Sequence, residues 1–114
     1  MMYICGMTEK EREIARIIGT RIKRRDPDAE VILFGSHARG QAHKESDWDI
    51  LILMNRTKEN RSDENLYRNE IFELELELGE SISTLIYSRK DWENKYAHTP
   101  LHQNINNEGI VISA

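Results

Sequence analysis

Two short apolar runs tied by one polar loop constrain this chain more than any other feature. Glu30 to Phe34 reads EVILF, Asp47 to Met54 reads DWDILILM, and GSHARGQAHKES lies between them. Runs this short, apolar and rich in β-branched residues suit buried strands and are too brief for helices. A strand that is apolar on both faces needs cover on both, so the rest of the chain has to supply helices.

The flanking segments answer that demand. From Thr8 to about Arg25, TEKEREIARIIGTRIKRR places Ile14, Ile17, Ile18 and Ile22 on one helical stripe. Thr8 is the expected N-cap, with Glu11 three residues on to complete a capping box, and Asp26-Pro27-Asp28 stops the helix. Ser36 to Arg39 suits a short helix before Gly40. After a charged loop, NRTKENRSDEN, the stretch from Asp63 to Gly79 contains FELELELG, which alternates with period two. Glu and Leu are strong helix formers and Gly79 is a natural stop, so a helix is expected there.

Ser83 to Tyr87 is the third expected strand. SRKDWENKY then suits a short helix capped by Ser88, with Asp91 at the capping-box spacing. A last helix runs from Pro100 through Asn107 behind the N-cap Thr99, and Gly109 ends it before a short final strand, Ile110 to Ile112. The expected fold class is α/β in the broad, α+β sense: a small mixed sheet of three to four or more strands flanked by helices. With 114 residues, a single domain over 1–114 is the expectation.

The stretch FGSHARGQAHKESDWDILIL carries the chemistry. Strand side chains alternate, so Asp47 and Asp49 project from one face about 6 to 7 Å apart, while Trp48 points the other way. Two carboxylates at the polar end of a strand suit magnesium, which takes a few carboxylates, waters and substrate phosphate oxygens. Gly35 allows a sharp turn after EVILF, and the N–H groups beyond it, with the Ser36 hydroxyl, can hold a phosphate. Arg39 and Lys44 are candidates to add positive charge.

Gly35-Ser36 after an apolar strand, ten intervening residues, then Asp47-x-Asp49 opening another strand resembles the DNA polymerase β-like nucleotidyltransferases. The chain as a whole is similar to their small single-domain members, the minimal nucleotidyltransferases. The resemblance extends to the preceding helix and to TPLHQNINNEGIVI near the end. It implies metal-dependent transfer of a nucleoside monophosphate from a nucleoside triphosphate, with ATP the expected donor, to an acceptor. Gly35, Ser36 and Arg39 would meet the nucleotide, and Asp47 and Asp49 would be the catalytic pair on magnesium. It further implies a partner, since such proteins frequently act as antitoxins beside a small all-helical protein, in some cases transferring AMP to it.

One position departs from that pattern. Active members place a third carboxylate on a later strand, which here is Ile82 to Tyr87 (ISTLIY) and contains no acid. Ser83 stands where the aspartate is expected, and a hydroxyl neither holds a cation by charge nor accepts a proton at neutral pH. Glu80 and Asp91 are the nearest acids, read as a loop residue and part of a helix start. Two functions therefore stay open: a nucleotidyltransferase, or a catalytically weak nucleotide-binding module that neutralises a partner by contact.

Other residues have plainer explanations. His37 and His43 are read as solvated loop residues, His98 and His102 as surface or partner-facing, and Trp48 and Trp92 as packing against helices. Leu66, Phe72 and the ELELEL run can pack in the core or face another chain, including a second copy. The net charge of -4 argues against a strong nucleic-acid field. The single Cys5 and the lack of signal-peptide features make cytoplasmic the default, and no run reaches the roughly 20 apolar residues of a membrane span.

Overall fold

The computed structural model describes residues 7–43, 45–55 and 61–112. Cys5, Lys44 and residues 56–60 of the charged loop lie outside them. The element order is α1 (Glu9–Arg25), β1 (Glu30–Phe34), α2 (Gly35–Ala38), β2 (Trp48–Met54), α3 (Arg61–Leu78), β3 (Ile82–Ser88), α4 (Arg89–Asn94), α5 (Pro100–Glu108) and β4 (Ile110–Val111). FELELELG is helical, as its residue types favour, and its helix starts two residues before the expected Asp63.

The sheet order is β3-β2-β1-β4. β1 runs antiparallel to both β2 and β4, whereas β2 and β3 are parallel. A parallel pair cannot be joined by a tight turn, and α3 makes the crossover. Strand alternation divides the apolar residues between two layers. Val31, Leu33, Trp48, Ile50, Ile52, Met54, Ile82 and Ile86 meet α1 and α3 through Ile14, Ile18, Ile22, Tyr67, Ile71 and Leu74. On the other face Leu51 and Leu53, with Ile32, Phe34, Leu85 and Tyr87, meet Trp92 of α4 and Ile105 of α5.

Local signals hold the helices at the expected places. Thr8 and Glu11 form both bonds of the capping box: the Glu11 N–H donates to Thr8 Oγ1 at 3.1 Å and the Thr8 N–H to Glu11 Oε1 at 3.0 Å. Ser88 Oγ accepts the Asp91 N–H at 3.1 Å, and Thr99 Oγ1 accepts the His102 N–H at 3.2 Å ahead of Pro100. Ser88, Asp91, Thr99 and Pro100 are therefore helix-start residues, as expected.

Polar groups lock α1 against α3. The buried carboxylate of Asp26, at the end of α1, accepts the Tyr67 hydroxyl. Glu70 is likewise buried, and it accepts from Arg25 Nε at 3.1 Å and Arg21 Nη1 at 3.5 Å. On the outer side of α3, Leu66, Phe72 and Leu76 are exposed, so the ELELEL run is split between core-facing Leu74 and outward-facing Leu76. No helix among the described residues is long and apolar enough to cross a membrane.

Removing the Tyr67 hydroxyl leaves a buried carboxylate with one donor fewer. Tyr67→Phe is expected to cost about 1 to 2 kcal/mol, read as a lower urea midpoint at unchanged slope. An unchanged midpoint would show that the bond is not needed to hold α1 on α3.

Candidate active site

The candidate residues converge where β1 and β2 end together. In the antiparallel register Phe34 pairs with Asp49, so the residue after Phe34 is carried directly over the aspartate. That residue is Gly35, at φ 78°, and a Cβ built on it would lie 2.1 Å from Asp49 Oδ2. Only glycine satisfies both conditions, a left-handed backbone and no side-chain volume. The turn and the aspartate strand are thus pressed against each other.

Asp49 shares the sheet face of Leu51 and Leu53, the side covered by α4 and α5. Asp47 is exposed just ahead of β2, and Trp48 between them is fully buried on the opposite face. Burial pushes the Asp49 carboxyl above its ordinary range, and the neighbouring Asp47 charge pushes it further. His37 and Arg39 pull it back, and Glu108 adds to the rise. A partly desolvated carboxylate therefore stands near a second, exposed one, the environment that a hard cation relieves.

Ser36 is half-buried as the second residue of α2, and its carbonyl accepts the Gln41 N–H at 2.9 Å. Arg39, mostly exposed, comes just after α2 and reaches back toward the same place. Its Nη1 lies 2.9 Å from Glu108 Oε2, and the Gly35 N–H donates to Glu108 Oε1 at 3.2 Å. Gly35, Arg39 and Asp49 are therefore assembled around one point, with Asp47 and Ser36 at its edge.

In the parallel register Ser83 is the Cα partner of Asp49, and it is exposed. Alternation puts the two side chains on the same face, so the hydroxyl stands in the place beside Asp49 that the expected third acid would take. Glu80 does not move toward Asp49. It lines a cavity with Lys10, Glu11, His37, His43 and Trp48, on the side of the sheet that Trp48 faces. Among the described residues, no three of His, Cys, Asp or Glu converge to hold a metal by themselves.

The family described as a nucleotidyltransferase domain matches residues 15–111, most of the chain. This chain belongs to the nucleotidyltransferase domain family. Among solved structures, the nucleotidyltransferase domain is similar to one described as the crystal structure of a toxin-antitoxin with AMP-PNP. The TM-score is 0.61 at 23% identity, over 87% of this chain and 71% of that one. At that identity the likeness speaks for the fold. No curated protein matches the chain at a significant level.

Two residues of the nucleotidyltransferase domain differ from their expected surroundings. His37 is buried rather than solvated: its ring stacks on Trp48 at 3.8 Å, Nδ1 lies 2.8 Å from Glu11 Oε2, and Nε2 lies 3.2 Å from the Ser46 carbonyl. It thus fastens both ends of the loop to α1. His102 packs on Trp92, ring centroids 4.7 Å apart, while His98 and His43 are exposed as expected.

Glu108 is the site neighbour that sequence reasoning passed over, since the last helix was expected to stop at Asn107. A signal was present. An acid in the final turn of a helix opposes the helix dipole, and that mismatch points to a tertiary partner.

Gly35→Ala forces a side chain into a left-handed backbone, which alone costs about 1 to 2 kcal/mol, and pushes Asp49 from its place. A loss of at least that much unfolding free energy is expected, read as a lower urea midpoint. A variant as stable as the wild type would mean that the turn re-forms without the close approach.

Proposed function

We propose that this nucleotidyltransferase domain transfers a nucleoside monophosphate from a nucleoside triphosphate, ATP first among them, to a protein acceptor. The observation that carries the reading is the close approach of Gly35 to Asp49, which joins a phosphate-binding turn to a pair of carboxylates. Asp47 and Asp49 would hold magnesium. Gly35 and Ser36 would receive the triphosphate, and Arg39 would balance its charge. The AMP-PNP and the toxin-antitoxin named for the solved relative support the choice of donor and of a protein acceptor.

In the transfer, an acceptor oxygen bonds to the α-phosphorus as the bond to the bridging β-phosphate oxygen breaks. Pyrophosphate leaves with that electron pair, and the acceptor proton passes to a nearby base or to water. Magnesium, when bound, supplies charge neutralisation on the phosphates and lowers the pKa of the attacking hydroxyl. The chain's own contribution is placement. The Gly35 turn orients the phosphates, and the Asp49 strand, anchored by fully buried Ile50 to Ile52, fixes the carboxylates against them.

A second reading is favoured by Ser83 beside Asp49. Without a third carboxylate the acceptor hydroxyl has no charged base on β3, which fits a module that binds nucleotide and neutralises a partner by contact. Cytoplasmic location accords with either reading.

Calorimetry with magnesium and ATP tests the site. Wild type should bind, and Asp49→Ala should bind at least about tenfold more weakly; equal affinities would remove the assignment. Incubating the protein with α-phosphate-labelled ATP and its helical partner separates the two readings. Label on the partner that depends on Asp47 establishes transfer, whereas tight binding without label establishes the contact mechanism. Ser83→Asp should raise transfer, because the register puts the new carboxylate beside Asp49. No increase would show that β3 is not where the missing acid belongs.

A further inference from the structure

The carboxylate of Glu108 already occupies the place where an anion would be held. Oε1 accepts the Gly35 N–H at 3.2 Å, and Oε2 accepts from Arg39 Nη1 at 2.9 Å. Both donors belong to the triphosphate site of the proposed function, and the role inferred for Glu108 rests on that assignment. We propose that Glu108 is an internal competitor for the phosphate site that raises the affinity an anion needs in order to bind: a polyphosphate carrying a divalent cation binds strongly enough to displace it, and a lone phosphate does not.

The placement of Glu108 is tertiary in origin. As the last residue of α5 it faces the negative end of the helix dipole, where an acid gains nothing locally. Its root is held firmly. A Cβ on the next residue, Gly109, would come within 2.8 Å of Ile32 Cγ2 and 2.5 Å of the Ile105 carbonyl, so the end of α5 lies tight on β1. The side chain beyond that root is about one-fifth exposed and Arg39 is 44% exposed, so the carboxylate can swing out by side-chain torsions alone.

Both carboxylate oxygens face donors, which sets this role apart from that of a third metal ligand. Carboxylate and phosphate oxygens are alternative acceptors for one N–H and one guanidinium. An incoming anion therefore binds only the fraction of molecules in which Glu108 has moved, and its apparent dissociation constant rises by the inverse of that fraction. A cation-bearing polyphosphate neutralises Asp47 and Asp49 as it enters and offers several oxygens in return. Orthophosphate offers few, and it meets Asp47, Asp49 and Glu108 together.

The test is calorimetry on the full chain with three probes: magnesium–ATP, magnesium–tripolyphosphate and orthophosphate. With Glu108 closed about nine-tenths of the time, Glu108→Gln should bind the first two about tenfold tighter than wild type, and it should gain measurable affinity for orthophosphate. Glu108→Asp keeps the charge but cannot span both donors, so it should fall between, and it carries the test if the glutamine variant fails to fold. A measurable but unchanged affinity in both variants overturns the competitor and leaves the nucleotide reading standing. Weaker binding overturns it in favour of a supporting role for Glu108. No binding of magnesium–ATP by wild type or variants overturns both.

Discussion

The contact between Gly35 and Asp49 governs how everything else at the working end of this domain is arranged. Antiparallel pairing of Phe34 with Asp49 drives the chain after β1 over the aspartate, and the absence of a side chain at Gly35 lets it pass. The loop beyond Gly35 is then fastened on the other side of the sheet. There His37 stacks on Trp48 and bonds to Glu11 and to Ser46, so the same twelve-residue connection is tied to both layers. A rigid floor with a tightly drawn loop above it is what positioning of a substrate requires.

Electrostatics at this point are unfavourable to the carboxylates. Burial and Asp47 oppose the ionised form of Asp49, while His37 and Arg39 favour it. Glu108 adds negative charge to the same neighbourhood but satisfies the Gly35 N–H and the Arg39 guanidinium. Stability given up by gathering like charges is a common feature of sites built for a charged ligand. The hydrophobic layers compensate, since Ile50, Leu51 and Ile52 directly behind the carboxylates are fully buried.

Much of this architecture was legible from short-range chemistry. The capping box of Thr8 and Glu11, Ser88 ahead of α4 and Thr99-Pro100 ahead of α5 each mark an end by satisfying N–H groups within four residues, so the sequence alone suffices to find them. EVILF and the apolar run after Asp47 became strands for the same reason that they looked like strands. FELELELG needed the tie-break of residue type over periodicity, and as a helix it leaves Phe72 and Leu76 on its outward face.

Neighbouring residues were thus enough to specify the set of elements and the two halves of the candidate site, Gly35-Ser36 and Asp47-x-Asp49, because the residues of each half are adjacent in the chain. They were not enough for the closure of Gly35 on Asp49, the place of Ser83 beside Asp49 in a parallel register, the burial of His37, or the arrival of Glu108 from the far end of the chain. Each of these depends on strand order and on which face a helix covers. Those properties come from the packing of the whole core, and no window of adjacent residues contains them.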